Sequence, residues 1–370
     1  MLIGIDASRS VAQRRTGTEN YSLNLIRHLL TLESEHRYRL YFNRPPCLEP
    51  WLTNCELQVI PFPRLWTHLR LSWEMARRPP DVLFVPAHVL PIVHPRRSVV
   101  TIHDLGYLYY PEAHRPLDRL YLDLSTRFNA WAATHLIADS LATKRDLVER
   151  YGTNPDKITV IYPGYDKETF QPVRDEEAIE AVKTKYGIAS DYILFVGTLQ
   201  PRKNLTRLIK IFSNLKYPLS NIQLVIAGKK GWLYQDIFRQ VQKLGVEEKV
   251  ILTGYVPEGD LPALLSGARL FVFPSLYEGF GLPVLEGMAC GVPVVCSNVS
   301  SLPEVAGDAA VLVDPLDMEG MAAAIERVLD DEDLRGELIE RGFEQARKFS
   351  WERCARETLK VLEMVGWSNG

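Results

Sequence analysis

No stretch of this 370-residue chain approaches the about 18 consecutive apolar residues of a membrane-crossing helix. Cysteine is scarce too. Cys47, Cys55, Cys290, Cys296 and Cys354 are odd in number and nowhere spaced Cys-x-x-Cys, which argues against a disulfide framework or zinc site and for a cytosolic compartment. The net charge is only −3, so the basic stripe of a nucleic-acid binder is missing. Up to residue 165 there are 20 Lys and Arg against 16 Asp and Glu, and beyond it 23 against 30. The first half is thus the more basic, which suits an anionic lipid surface. No Gly-x-Gly-x-x-Gly follows the first strand-like run, and Gly4 lies inside that run, which disfavours a nicotinamide-dependent oxidoreductase. No Asp-x-Asp pair sits in a loop suited to a metal, and Met1-Leu-Ile-Gly-Ile-Asp6 reads as a strand rather than a signal peptide.

What is present is an alternation. Strand-like runs at Leu2–Asp6, Tyr38–Phe42, Val82–Val85, Ser98–Ile102 and His135–Ala138 are separated by amphipathic stretches, and the rhythm restarts after residue 190. There it continues through Tyr192–Val196, Gln223–Ala227, Lys249–Thr253, Leu270–Pro274, Val292–Cys296 and Ala310–Val313. This is the pattern of parallel sheets covered by helices, and the length accommodates two such domains, so the fold class is α/β with two Rossmann-like domains. Residues 1–165 and 190–349 are read as the domains, 166–189 as a linker without a strong apolar run, and 350–370 as a terminal helix.

Two segments of the second half carry chemistry. In Ser275-Leu-Tyr-Glu-Gly-Phe-Gly-Leu-Pro-Val-Leu-Glu286, Glu278 is expected on a loop and Glu286 in the first turn of a helix opened by Pro283 and closed by Gly291. Gly279 and Gly281 permit close backbone approach, and the helix start offers N–H groups to an anion. Upstream, Tyr192-Ile-Leu-Phe-Val196 leads into Gly197-Thr-Leu-Gln-Pro-Arg-Lys-Asn204 and a helical pattern. Arg202 and Lys203 there oppose the helix dipole, a conflict that a bound diphosphate would resolve. The plain alternatives are solvated acids in an ordinary turn and a solvated basic turn.

In this order, and joined by Thr101-Ile-His-Asp-Leu105, Ile137-Ala-Asp-Ser140, Lys144-Arg-Asp-Leu147 and Ile158-Thr-Val-Ile-Tyr-Pro-Gly-Tyr-Asp166, these segments resemble the retaining GT-B glycosyltransferases of family 4. Within it the chain looks most like bacterial mannosyl- and glucosyltransferases of surface polysaccharide assembly. The resemblance implies two domains facing each other across a cleft, the last helix crossing back to the first. It also implies a hexose transfer from a nucleotide diphosphate sugar, GDP-mannose before UDP-glucose, to a lipid-linked or oligosaccharide acceptor. No cofactor or metal is implied. Arg202 and Lys203 would stabilise the leaving diphosphate. Glu278 would meet the donor sugar and Glu286 the ribose, with Phe280, Gly281 and Leu282 presenting amides. Gly197 and Gly17 would approach the phosphates, Val256 the base, and His103 the sugar. Many relatives carry two small residues where this chain has Gly17 and then Thr18.

Rival readings are a sugar-nucleotide epimerase, a disaccharide phosphorylase, or a non-catalytic sugar-nucleotide binder. The segment 61–78 spaces Phe62, Trp66, Leu69, Trp73 and Ala76 helically among Arg64, Arg70, Arg77 and Arg78. That suits a helix lying on the inner membrane face, or one packed on the core with a basic outer side. The packed arrangement is preferred, because any surface helix needs an apolar stripe.

Overall fold

The structure is a computed structural model that describes residues 1–11, 17–46, 50–62, 65–87, 89–216 and 222–367. Arg14, Arg15, Cys47 and Arg64 fall outside the described residues. The chain forms two compact units: Met1–Leu105 with Pro116–Gly164 and Phe349–Gly370, and Gly106–Arg115 with Tyr165–Lys348.

The first unit is built on seven parallel strands: β1 (Leu2–Asp6), β2 (Arg37–Phe42), β3 (Glu56–Val59), β4 (Val82–Val85), β5 (Ser98–Ile102), β6 (His135–Ala138) and β7 (Ile158–Val160), in spatial order 3-2-1-4-5-6-7. The second has six: β8 (Asp191–Val196), β9 (Ile222–Ala227), β10 (Val250–Gly254), β11 (Leu270–Phe273), β12 (Val294–Ser297) and β13 (Ala310–Val313), in order 10-9-8-11-12-13. Strands buried on both faces read as unbroken apolar runs, as Val82–Val85 and Leu270–Phe273 do. β3 and β7 escape the sequence reading because neither carries a run of apolar residues long enough to mark it. β3 is short, half-exposed and carries Glu56 and Gln58, and β7 has only three residues. In each sheet the chain reverses its direction of travel once, between β1 and β4 and between β8 and β11, and such points place ligands at the carboxyl ends of strands.

Two expected boundaries shift. Residues 166–189 are anchored in the second unit rather than linking. Their helix Glu176–Tyr186 is capped by Asp175, Val173 N donates to Ser266 Oγ (3.0 Å), Ala189 N to Gln223 Oε1 (2.8 Å), and Tyr186 hydroxyl to Asp260 (2.5 Å). These anchors are polar, so no apolar run announced them. Gly106–Arg115 also belongs to the second unit, through the stacked rings of Tyr109 and Tyr277 and the Tyr110 hydroxyl on Leu276 O (3.2 Å). The last helix, Trp351–Trp367, packs in the first unit, where Trp351, Cys354 and Leu362 join Ile3, Leu25 and Ile26 in one core. Gly164 is required there, since a Cβ would lie 2.1 Å from Trp351 N.

The segment 66–77 departs from the expected helix. Trp66–Leu71 winds as a π-helical turn and Ser72–Arg77 as α-helix. The buried apolar positions are therefore Trp66, Leu71 and Met75, spaced five and then four, with Ser72 and Glu74 buried beside them, while Leu69, Trp73 and Ala76 face out. A period of 3.6 put the wrong stripe on the core.

Candidate functional site

The loops leaving β8 and β11 meet at the switch point of the second sheet. Leu276 N donates to Arg202 O (2.9 Å), and Arg202 Nη1 donates to Tyr277 O (2.6 Å). Lys203 Nζ lies 2.5 Å from Glu278 Oε1, and Arg202 Nη1 3.1 Å from Glu278 Oε2. Lys203 and Glu278 are buried, with the ammonium 4.7 Å from the centre of the Phe273 ring. Burial opposes the Glu278 charge, but Lys203 and then Arg202 outweigh it and hold the carboxyl below its usual range. The two cations that seemed to need a diphosphate thus have a carboxylate partner already. Together the three side chains carry one net positive charge. Arg202 and Lys203 lie within a short 3-10 turn, Pro201–Lys203, and Asn204 after it is in the left-handed region (φ 60°). Asn204 is fixed by its Nδ2 on Pro315 O (2.9 Å).

The stretch after Glu278 is clamped by two serines that no sequence signal singled out. Ser300 Oγ accepts from Glu278 N (2.8 Å), and Ser301 Oγ lies 3.0 Å from Glu278 O and 2.6 Å from Phe280 O. Phe280 is buried. Gly281, at φ 117°, caps the helix Leu282–Ala289, and a Cβ there would meet Leu302 at 2.8 Å. Leu282 opens that helix, one residue before Pro283. Glu286 is consequently in its second turn rather than its first. The helix closes as expected: Gly291 takes φ 76° and Val292 N returns to Gly287 O (3.2 Å).

Glu286 lies in an acidic setting. Burial, reinforced by the nearby charges of Glu258 and Asp166, pushes its carboxyl up to about 8. Val256 is buried just beyond β10, while Tyr255 beside it is half exposed. Gly197 donates to Ala227 O (2.8 Å), and its own carbonyl oxygen comes so close to Gly228 that a Cβ there would be 1.8 Å away. This contact forces Gly228 more strongly than Gly197.

In the first unit, His103 leaves the end of β5 and Asp139 the end of β6. The register Ile102 opposite Ala138 sets them side by side. His103 Nδ1 is 2.5 Å from Asp139 Oδ2, and Nε2 is 2.9 Å from Pro86 O. A carbonyl only accepts, so Nε2 carries a proton, and neither nitrogen is free as a base in this arrangement. Burial works against the imidazolium, yet Asp139, aided by Asp104, raises the His103 pKa above its ordinary value. Tyr21 stands edge-on to the ring at 4.7 Å. Asp139 was quoted in the sequence without a role; adjacency of two strand ends was the signal that could have given it one. Gly17 is the first residue of the helix Gly17–Thr31, and among the described residues no atom beyond its chain neighbours and own helix backbone lies within 4 Å of a would-be Cβ.

Among the described residues, no group of three or more His, Cys, Asp or Glu is arranged to hold a metal ion.

Residues 179–345 match the glycosyl transferases group 1 family, and residues 15–169 match glycosyltransferase family 4. The chain is 37% identical over 278 residues to O-antigen chain mannosyltransferase B of Escherichia coli, covering 73% of this chain and 71% of that one. It is 32% identical to the Escherichia coli serotype-specific mannosyltransferase WbdA over 72% of this chain, spanning 33% of that longer protein. Its fold is similar to sucrose-phosphate synthase from Thermosynechococcus elongatus, with a TM-score of 0.77, 21% identity, and 98% of each chain covered.

Proposed function

Because this chain belongs to the family 4 glycosyltransferases, we propose that it moves a hexose, mannose first, from a nucleotide diphosphate sugar to a lipid-linked or oligosaccharide acceptor, with retention at the anomeric carbon. The observation that carries this reading is the Arg202–Lys203–Glu278 cluster at the switch point of the second sheet. Similarity to two mannosyltransferases supports the choice of sugar.

In this proposal the acceptor hydroxyl attacks from the leaving-group side. Its bond to the anomeric carbon forms as the glycosyl–phosphate bond breaks, and the departing phosphate oxygen takes the proton. Charge grows on the diphosphate, and Arg202 and Lys203, already fixed by Glu278, stabilise it without reorganising. A carboxylate offers about four lone-pair sites. Glu278 thus retains acceptor capacity for a sugar hydroxyl while it holds both cations. Phe280, Gly281 and Leu282 supply backbone amides, Glu286 accepts from the ribose diol, and Gly197 and Val256 border the phosphate and base. The family resemblance gives Gly17 a diphosphate contact, and His103 serves as a fixed imidazolium. No metal is required.

The test is to offer GDP-mannose and UDP-glucose separately with a lipid-linked and a soluble glycan acceptor, and to read the product linkage by NMR. Retained configuration with GDP-mannose is expected. Turnover of donor without acceptor would favour the epimerase, sugar 1-phosphate formed with inorganic phosphate would favour the phosphorylase, and binding without turnover would leave a sensor.

A further inference from the structure

The helix Pro116–Ala132 is inside out. Its buried residues are Ser125, Thr126 and Asn129, whereas Leu117 and Trp131 are each 80% exposed and Leu124 56%. An exposed leucine is unremarkable by itself, but a helix that buries its polar side chains and offers its apolar ones to water is not explained by its own core. The segment Trp66–Arg77 buries Trp66, Leu71 and Met75 but leaves Leu69 52% and Trp73 58% exposed. The segment between them, at Ile92 and Val93, is also apolar and exposed.

Hydrogen bonds join the three segments into one surface. His68 Nε2 is 3.0 Å from the Tyr121 hydroxyl, Val93 N donates to Ser72 Oγ (3.2 Å), and Leu90 N donates to Asn129 Oδ1 (3.0 Å). All of it belongs to the first unit. Charge identifies the occupant. Between Leu65 and Arg97 there are Arg70, Arg77, Arg78, Arg96 and Arg97 against only Glu74 and Asp81, and Glu74 is paired with Arg70 at 3.6 Å. Arg77, Arg78 and Arg96 are exposed, and the Arg77 guanidinium lies 5.8 Å from the centre of the Trp73 ring.

We propose that this face, formed by Trp66–Arg77, the segment around Ile92 and the helix Pro116–Ala132, docks on an anionic lipid bilayer, with Leu69, Trp73, Leu117 and Leu124 entering the interface and the arginines meeting headgroup phosphates. Tryptophan and tyrosine side chains are at home at that depth, and basic residues beside an apolar face are attracted to anionic lipid. A second copy of the chain would set the same positive charges against one another across a two-fold axis. The inference goes beyond the proposed transfer and stands without it.

The experiment is sedimentation of the full chain with vesicles of phosphatidylethanolamine and phosphatidylglycerol, and separately with phosphatidylcholine vesicles, without donor or acceptor. Binding to the anionic vesicles is expected, with each double variant, Arg77→Glu with Arg78→Glu and Trp73→Ser with Leu117→Ser, weakening it on the order of tenfold at an unchanged circular dichroism spectrum. Trp232→Ser, in the second unit, should bind like the wild type. Equal binding to both vesicle types, no binding by the wild type, or wild-type binding by both double variants would overturn the proposal. So would a dimer in sedimentation velocity that these substitutions dissolve. Transfer to a water-soluble acceptor reads the proposed function separately and should survive in the variants.

Discussion

Lys203 and Glu278 form a buried ion pair at 2.5 Å, with Arg202 on the carboxylate's other oxygen at 3.1 Å. Removing one partner of a buried pair strands the other, at a cost of about 3–5 kcal/mol, whereas replacing both with apolar groups is often neutral. Lys203→Ala is therefore expected to lower the melting temperature and the activity together. Lys203→Met with Glu278→Leu should restore the melt and leave transfer impaired. Arg202→Ala, at a more open position, should lower turnover roughly 10²- to 10³-fold, the scale for one fixed electrostatic stabiliser, with the fold intact. Turnover near the wild-type rate in Arg202→Ala would remove it from the leaving-group site.

Glu286 gives a pH signature. Its folded-state pKa of about 8 lies above the ordinary 4.5, so its contribution to stability is present below 4.5 and lost as pH rises through 8. Glu286→Gln cannot ionise. In thermal melts it should match the wild type near pH 5 and exceed it at pH 9; a constant difference across that range would contradict the raised pKa.

The same group separates binding from transfer. If Glu286 meets the ribose and Glu278 the sugar, Glu286→Ala should weaken nucleoside diphosphate affinity in calorimetry. Glu278→Ala should harm transfer more than binding. Identical binding losses in the two variants would collapse that division.

His103 titrates above its ordinary 6.5 because Asp139 outweighs burial. Its contribution to stability is thus full below 6.5 and declines as pH rises through the higher folded-state pKa. Asp139→Asn leaves burial in command, and the His103 resonance followed by NMR should then titrate below 6.5. An unchanged midpoint would show that Asp139 does not set the charge.

If Arg202 and Lys203 stabilise the leaving diphosphate as proposed, excess chelator should leave transfer untouched, although a Lewis acid at that position would contribute several kcal/mol. Loss of activity that magnesium or manganese restores would reassign the stabilisation of the leaving group.

The buried strands were legible in the sequence because parallel strands covered on both faces are continuous apolar runs, as at Val82–Val85. β3 and β7 were not, because β3 is half-exposed with Glu56 and Gln58 in it and β7 has only three residues. Arg202, Lys203 and Glu278 could each be picked out from their turns and glycines, but their ion pairs could not. Those depend on β8 lying beside β11, a neighbour relation set by strand order and not by local pattern. Ser300 and Ser301 were invisible for the same reason, since they act on a loop some twenty residues upstream.

The π-helical turn at Trp66–Leu71 stores information in chain length rather than in composition. One residue more per turn shifts the phase of everything after it, and Leu69 and Trp73 point to solvent although their spacing alone would send them inward. Deletion of His68 would let the segment rewind as α-helix and turn that face over without changing any of the apolar residues that compose it. Along this stretch, an insertion or deletion alters surface chemistry more than most substitutions can.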